Sequence, residues 1–231
     1  MTRAALLDLL LAARLPAPSQ AWLAQACAEV ARGLPDRRFG ELVSAASRHA
    51  RREPLAPAEA ERARAAAALE GLEIERWSLL EALRVRLVLA RGDLELPTAV
   101  RALESAFQFA DERELCALYR SLALLPDPGR FAWRAGEGCR SNMRSVFEAT
   151  ALDTPYPLRW FDEPAFNQCV IKAIFIGAPV ARIFGLERRR NRELTRMALD
   201  LAAERRSAGR PVPDDLWLAV EPQQRNAGVR G

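Results

Sequence analysis

Helix punctuation, repeated along the first 125 residues without an intervening strand signal, is the feature that most restricts the fold of this chain. Ser19 can cap a segment that carries Trp22, Leu23, Ala26, Cys27 and Val30 on one face and ends at Gly33. Asp36 opens the next, with Phe39, Leu42, Val43 and Ala46 turned inward. Pro57 suits the first turn of an alanine-rich helix that reaches Leu69 and stops at Gly71. Residues 75–90 read as a strongly apolar helix around Trp77, Leu80, Leu83, Leu87 and Val88. A further pattern spans 97–109, and Asp111 with Glu114 makes a capping-box-like start to a helix ending before Pro126. The β-branched alternation of strands is missing. The expectation is an all-α protein of antiparallel helical hairpins, as an irregular bundle or a short HEAT- or TPR-like solenoid, although no repeat of fixed period is visible.

Composition narrows the chemistry. The chain has 231 residues, 34 Lys and Arg against 30 Asp and Glu, and a single histidine, His49. One histidine excludes a multi-histidine metal site and leaves little room for a His-dependent triad. His49 reads most simply as a surface residue. Cys27, Cys116, Cys139 and Cys169 contain no C-x-x-C pair, so free and mostly buried thiols in a cytoplasmic protein are expected, with no cofactor. The apolar start is interrupted by Asp8 and Arg14, which suits an amphipathic first helix better than a signal peptide. No apolar run reaches the roughly 18 residues that a membrane span needs.

At Pro126 the texture changes. Residues 1–125 read as a helical scaffold and 126–220 as a C-terminal helical region, with 221–231 as a flexible tail. Residues 126–140 read as a long loop holding Phe131 and Trp133 as buried-type aromatics, and 153–161 as a second rigid loop. Between them runs a helix from Ser141, its expected cap, to about Leu152.

Lys172 is the only lysine, set among Val170, Ile171, Ile174 and Phe175. Asp162 caps its helix, with Pro164 in the first turn and Gly177 at the end. At about 100° per residue, Asn167 falls on the most apolar face and Lys172 about 140° away, beside Gln168. The two cannot serve one small site. Asn167 reads as a buried amide bonded to a neighbouring loop, the Pro155–Trp160 stretch being the candidate. Lys172 is open to three readings: a snorkelling side chain, an ion pair with a buried carboxylate such as Glu148 or Glu193, or a catalytic amine. Glu148 has apolar neighbours and suits pairing with an arginine or Lys172. The basic run Glu187–Arg196 has Asn191 as a ready N-cap and Leu194, Met197, Ala198, Leu201 and Ala202 as an inward stripe. Its arginines then fall at the helix start and on a solvated face, and nucleic-acid binding is disfavoured because no aromatic residues are interleaved.

Several ordered pieces resemble a known family. Ser141-Asn142-Met143, Val146-Phe-Glu-Ala149, Pro155-Tyr156-Pro157, Phe166-Asn-Gln168 and Lys172-Ala173 resemble the EboA-type bacterial proteins, as do Asn191-Arg-Glu193-Leu194, Glu204-Arg205 and Leu216-Trp217. The resemblance covers about residues 141–218. Where relatives tend to carry His before Glu204 and Trp after Arg205, this chain has Ala203 and Arg206, so no role passes through that histidine. The resemblance implies a setting in gene clusters with a prenyltransferase-like membrane protein and sugar-isomerase-like enzymes, concerned with making or exporting a secondary metabolite. It implies no catalytic residues.

The expected function is therefore a non-catalytic accessory protein that binds a pathway protein, a membrane enzyme at its inner face, or a hydrophobic or anionic metabolite. Asn142, Glu148, Tyr156, Asn167, Lys172, Asn191, Glu193, Glu204 and Arg205 are its candidate motif residues. The rival is an enzyme acting on an anionic small molecule, which requires a pocket where at least three of Lys172, Glu148, Asn142 and Asn167 converge. A weaker alternative, nucleic-acid binding, requires a continuous basic face.

Overall fold

A computed structural model describes residues 1–224; the tail expected over 221–231 lies, from 225 onward, outside the described residues. The chain forms α1 (Arg3–Ala12), α2 (Ala17–Ala31), α3 (Asp36–Ala45), α4 (Glu59–Ala68), α5 (Leu79–Val88), α6 (Thr98–Phe109) and α7 (Glu112–Ser121). It continues through α8 (Ala132–Arg140), α9 (Arg144–Ala151), α10 (Tyr156–Trp160), α11 (Glu163–Ile176), α12 (Leu186–Arg189) and α13 (Arg192–Ser207). Among the described residues there is no strand, only an isolated bridge between Pro54 and Ser78. The fold is all-α.

The most buried helix is α5, where eight of ten residues are buried, so α1, α2, α3 and α7 all pack on it. Each of its buried leucines contributes about 1.5–3 kcal/mol relative to exposure. Even Arg84 lies inside, donating to the Val43 carbonyl at 3.0 Å and to Glu114 at 3.3 Å. From α7 the packing passes to α9, then to α8, α11 and α13. One continuous buried cluster runs from Leu6 to Val220.

Several boundaries differ from the sequence reading. Ser19 is not a cap: Pro16 precedes the first residue of α2, Pro18 supplies its preset first turn, and Ser19 is buried. Pro57 lies outside α4, in a segment that turns through Ala56 at φ +46°. The helix expected over 75–90 begins only at Leu79. Its first amides are taken by the segment before α4, with Leu79 N–H on the Glu53 carbonyl and Leu80 N–H on that of Arg51. Ser78 and Glu81 form the capping box that starts it. His49 is not a plain surface residue: it is half-buried and stacked on Trp22, ring centres 4.0 Å apart.

The largest correction concerns 126–140. The expected loop is a short 3-10 turn, Pro128–Phe131, running directly into α8. Within α8, Gly138 meets a packing need. A Cβ there would lie 2.4 Å from Thr150 Oγ1 and 2.6 Å from the Tyr119 ring, so its absence lets α8 approach α7 and α9. Phe131 is buried as expected, whereas Trp133 is 64% exposed on α8. The second expected loop holds α10, anchored by the Tyr156 hydroxyl donating to the Pro128 carbonyl at 2.6 Å. Ser141 does not cap α9, which starts at Arg144; its hydroxyl accepts the Met143 amide at 3.1 Å in the turn before it.

Candidate functional site

The helix α11 is laid down as its sequence predicts. Asp162 accepts the Ala165 amide at 2.8 Å, Pro164 sits in the first turn, and Gly177 ends it at φ +68°. Phe166, Asn167, Cys169, Val170, Ala173 and Ile174 are buried, which turns Gln168 and Lys172 to a different face. That face and α8 border an open cleft of about 470 Å³, lined also by Phe161, Asp162 and Pro164.

Among the described residues, two cations line the cleft. Lys172 is half-buried and makes no hydrogen bond or ion pair with any described residue. Arg140, in the last turn of α8, is held by Glu137 with Nε 3.0 Å from Oε1. Its guanidinium lies along Gly136, where even a Cβ would meet it at 3.5 Å. Asp162, the acid in the wall, has one carboxylate oxygen committed to the N-terminus of α11. Phe161, Pro164 and Ala165 make the lining partly apolar. Two buried thiols also belong to it, Cys139 and Cys169, with Sγ atoms 3.7 Å apart. The hydrogen bond to Cys139, with burial, pushes the Cys169 thiol well above its ordinary value. Chemically, the cleft offers positive charge beside apolar surface.

Of the motif residues, the cleft receives only Lys172. The carboxylates proposed for it are engaged elsewhere: Glu148 with Arg144 at 2.7 Å and Arg182 at 4.0 Å, Glu193 with Arg196 at 2.6 Å. Both lie near arginines that reach them along or across neighbouring helices, so the predicted Lys172 ion pair is absent. Arg182 is also bound by the buried Asp153, whose bond raises its already high pKa.

Asn167 is buried but does not bond the 155–160 backbone. It pairs with Asn191 through both amides: Asn167 Nδ2 donates to Asn191 Oδ1 at 3.2 Å, and Asn191 Nδ2 donates to Asn167 Oδ1 at 3.0 Å. Asn191 also caps α13 by accepting the Leu194 amide at 2.8 Å. Two carbonyls of that stretch, Pro157 and Leu158, go to Arg189 instead, whose Nη1 also donates to that of Phe161 while its guanidinium covers the Phe166 ring. This withdraws Arg189 from the solvated face expected of the basic run. Tyr156 is buried, Asn142 and Glu204 are exposed, and Arg205 donates to the Pro211 carbonyl at 2.9 Å.

Sequence reasoning missed Arg140, the thiol pair and Arg189. The Gly136/Arg140 spacing, four apart, was available as a signal once the segment was known to be helical. A second groove of about 480 Å³, between α3 and α6, is mostly apolar and includes none of the motif residues. Its Glu114 is already bonded to Arg84 and to the Asp111 amide.

Among the described residues no cluster of three potential metal ligands occurs, and no helix is long and apolar enough to cross a membrane. No curated protein and no solved structure matches the chain significantly. The family model described as metabolite traffic protein EboA matches residues 3–221, well beyond the C-terminal pieces that carried the resemblance. With nearly its whole length matched, this chain belongs to the EboA family.

Proposed function

We propose that this protein binds a small amphipathic anion in the α8–α11 cleft and passes it on unaltered, as a cytoplasmic accessory protein of a secondary-metabolite pathway. The observation that carries this reading is Lys172, a half-buried ammonium that no described carboxylate neutralises, in a cleft with a second cation and apolar walls. A carboxylate or phosphate meeting Lys172 and Arg140 would gain charge-assisted hydrogen bonds, and an attached apolar portion would cover Phe161 and Pro164. The family description as a metabolite traffic protein supports the same reading. Exposed Trp133 on α8 and Phe175 on α11 offer apolar contacts for a pathway protein or the inner face of a membrane enzyme at handover.

The enzyme alternative lacks its convergence: Asn167 is paired within the core, Glu148 is bonded to Arg144, and Asn142 is exposed on the turn before α9. The nucleic-acid alternative is weakened because the basic run is divided among internal partners. Arg188 meets Glu70, Arg189 meets backbone carbonyls, and Arg196 meets Glu193 and Asp200.

Calorimetric titration of the full chain with decanoate and with decanol tests the reading. Decanoate should bind about tenfold or more tightly than the alcohol, and Lys172→Met, which keeps the stem and removes the charge, should weaken decanoate by about tenfold, equivalent to about 1.4 kcal/mol. Native mass spectrometry of gently purified protein should retain an anionic small molecule. Equal affinity of the Lys172→Met protein, or no bound anion in either measurement, defeats the proposal.

A further inference from the structure

The thiols of the cleft have a use that charge recognition does not require. Cys139 comes from the last turn of α8 and Cys169 from the middle of α11, 30 positions on, yet their sulfurs lie 3.7 Å apart. Cys169 is 1% exposed and Cys139 7%, and both border the cleft, from which a small solute meets Cys139 first. No such neighbour serves the half-buried Cys27 or the buried Cys116: among the described residues neither has a second sulfur in contact. A disulfide needs a sulfur separation of about 2.05 Å, so closure asks for roughly 1.7 Å of movement. Cys139 stands one residue before the end of α8, where helix ends yield most readily.

We propose that Cys139 and Cys169 form a reversible dithiol–disulfide site, oxidised by a low-molecular-weight disulfide, that ties α8 to α11 beneath the cleft. The Cys139 thiolate, reached from the cleft, attacks one sulfur of the oxidant. A bond forms between Cys139 Sγ and that sulfur, and the other half of the oxidant leaves as a thiolate. Cys169 then loses its proton to solvent and attacks Cys139 Sγ, releasing the second half. Two cysteine thiols are oxidised by two electrons, and one small disulfide is reduced to two thiols. Cys169 is the resolving member because it lies deeper, 1% exposed against 7% for Cys139, and its bond to Cys139 together with burial pushes its thiol well above the ordinary value. Drawing Cys139 inward shifts the Gly136–Arg140 turn against Lys172, so the tie alters anion binding; this consequence rests on the binding reading above, whereas the bond itself does not.

The full chain is equilibrated with graded ratios of glutathione disulfide to glutathione, quenched with N-ethylmaleimide and mapped by peptide mass spectrometry. A Cys139–Cys169 link should form and be reversed by dithiothreitol, while Cys27 and Cys116 stay alkylatable. In Cys169→Ser a glutathione adduct should accumulate on Cys139, and in Cys139→Ser none should appear on Cys169. Alanine at either position gives the same comparison if serine impairs folding. Links involving Cys27 or Cys116 in equal yield, a persistent adduct on wild-type Cys139, or no loss of thiols overturns the proposal. Oxidation should change decanoate affinity by about fivefold or more, and leave the Cys139→Ser/Cys169→Ser protein unaffected; an unchanged affinity in the linked wild type removes the regulatory role. If the reduced protein binds no decanoate yet the link forms, the binding reading fails and the thiol site stands. If decanoate binds and no link forms, the thiol site alone fails.

Discussion

Asn167 and Asn191 satisfy each other across α11 and the start of α13, each amide donating to the other's oxygen at 3.0–3.2 Å. The pair joins the deepest polar side chain of α11 to the residue that caps α13, so one contact sets both the packing of the two helices and the start of the second. Two members of the family motif that stand 24 positions apart thus have a shared structural role, a reading that keeps them separate from the cleft chemistry.

Asn167→Ala should destabilise the fold by about 1–3 kcal/mol, because it leaves the Asn191 amide short of a partner at a half-buried position. Asn191→Ala should be worse by about 1 kcal/mol, since it also removes the N-cap. The double variant should lose less than the sum of the singles. Urea denaturation measures all three. Strict additivity, or a milder effect of Asn191→Ala, would mean that the amides act independently.

Gly138 and Gly40 should respond in opposite directions to alanine. At Gly138 the new methyl would meet Thr150 and Tyr119 at under 3 Å, so overpacking should cost about 1–3 kcal/mol. At Gly40, inside α3, a Cβ meets nothing within 4 Å, and alanine should stabilise by about 0.5–1 kcal/mol through helix propensity. Thermal melts of the two variants should bracket the wild type. A neutral Gly138→Ala would contradict the close approach of α8 to α7 and α9.

The two tyrosines should resist ionisation until the protein unfolds. Burial, with the Glu137 charge adding to it, pushes Tyr119 up to about 12. Tyr156 goes higher still, through burial first and then the Asp127 charge. Unfolded tyrosine ionises near 10. Because the folded values are raised, the unfolded state loses its protons first: stability from these groups is complete below about pH 10 and falls as pH rises toward 12. Phenolate absorbance should therefore rise together with loss of helical circular dichroism. Substantial phenolate near pH 10 with the helices intact would show that the rings are accessible.

Local signals were legible where the deciding partners are close in sequence. The Asp111–Glu114 box forms as its spacing predicts, and α11 runs from Asp162 to Gly177. Phe39, Leu42, Val43 and Ala46 are all buried. The stretch 126–140 reads as a loop yet folds as a turn and a helix because glycine is ambiguous: it breaks isolated helices, yet it also permits contacts between helices that any Cβ would block. With 126–140 taken as a loop, Arg140 has no place on a helix facing α11, and the cleft is not visible in the sequence. Ser141 failed as a cap for a related reason, since its hydroxyl closes the turn before α9 instead.

By itself, the sequence determined the all-α class, the inward stripes and several helix ends, and it marked Lys172 as unusual and placed it away from Asn167. These follow from interactions within a few residues, where helical geometry is nearly independent of context. Tertiary structure alone decided that Lys172 meets no carboxylate among the described residues, that Asn167 chooses Asn191, that Arg189 rather than Asn167 takes the carbonyls of Pro157 and Leu158, and that Cys139 faces Cys169. Each of the last three is a contact across 24 or more positions. Its formation depends on how the helices pack, and several residues of similar chemistry compete for every partner until packing selects one.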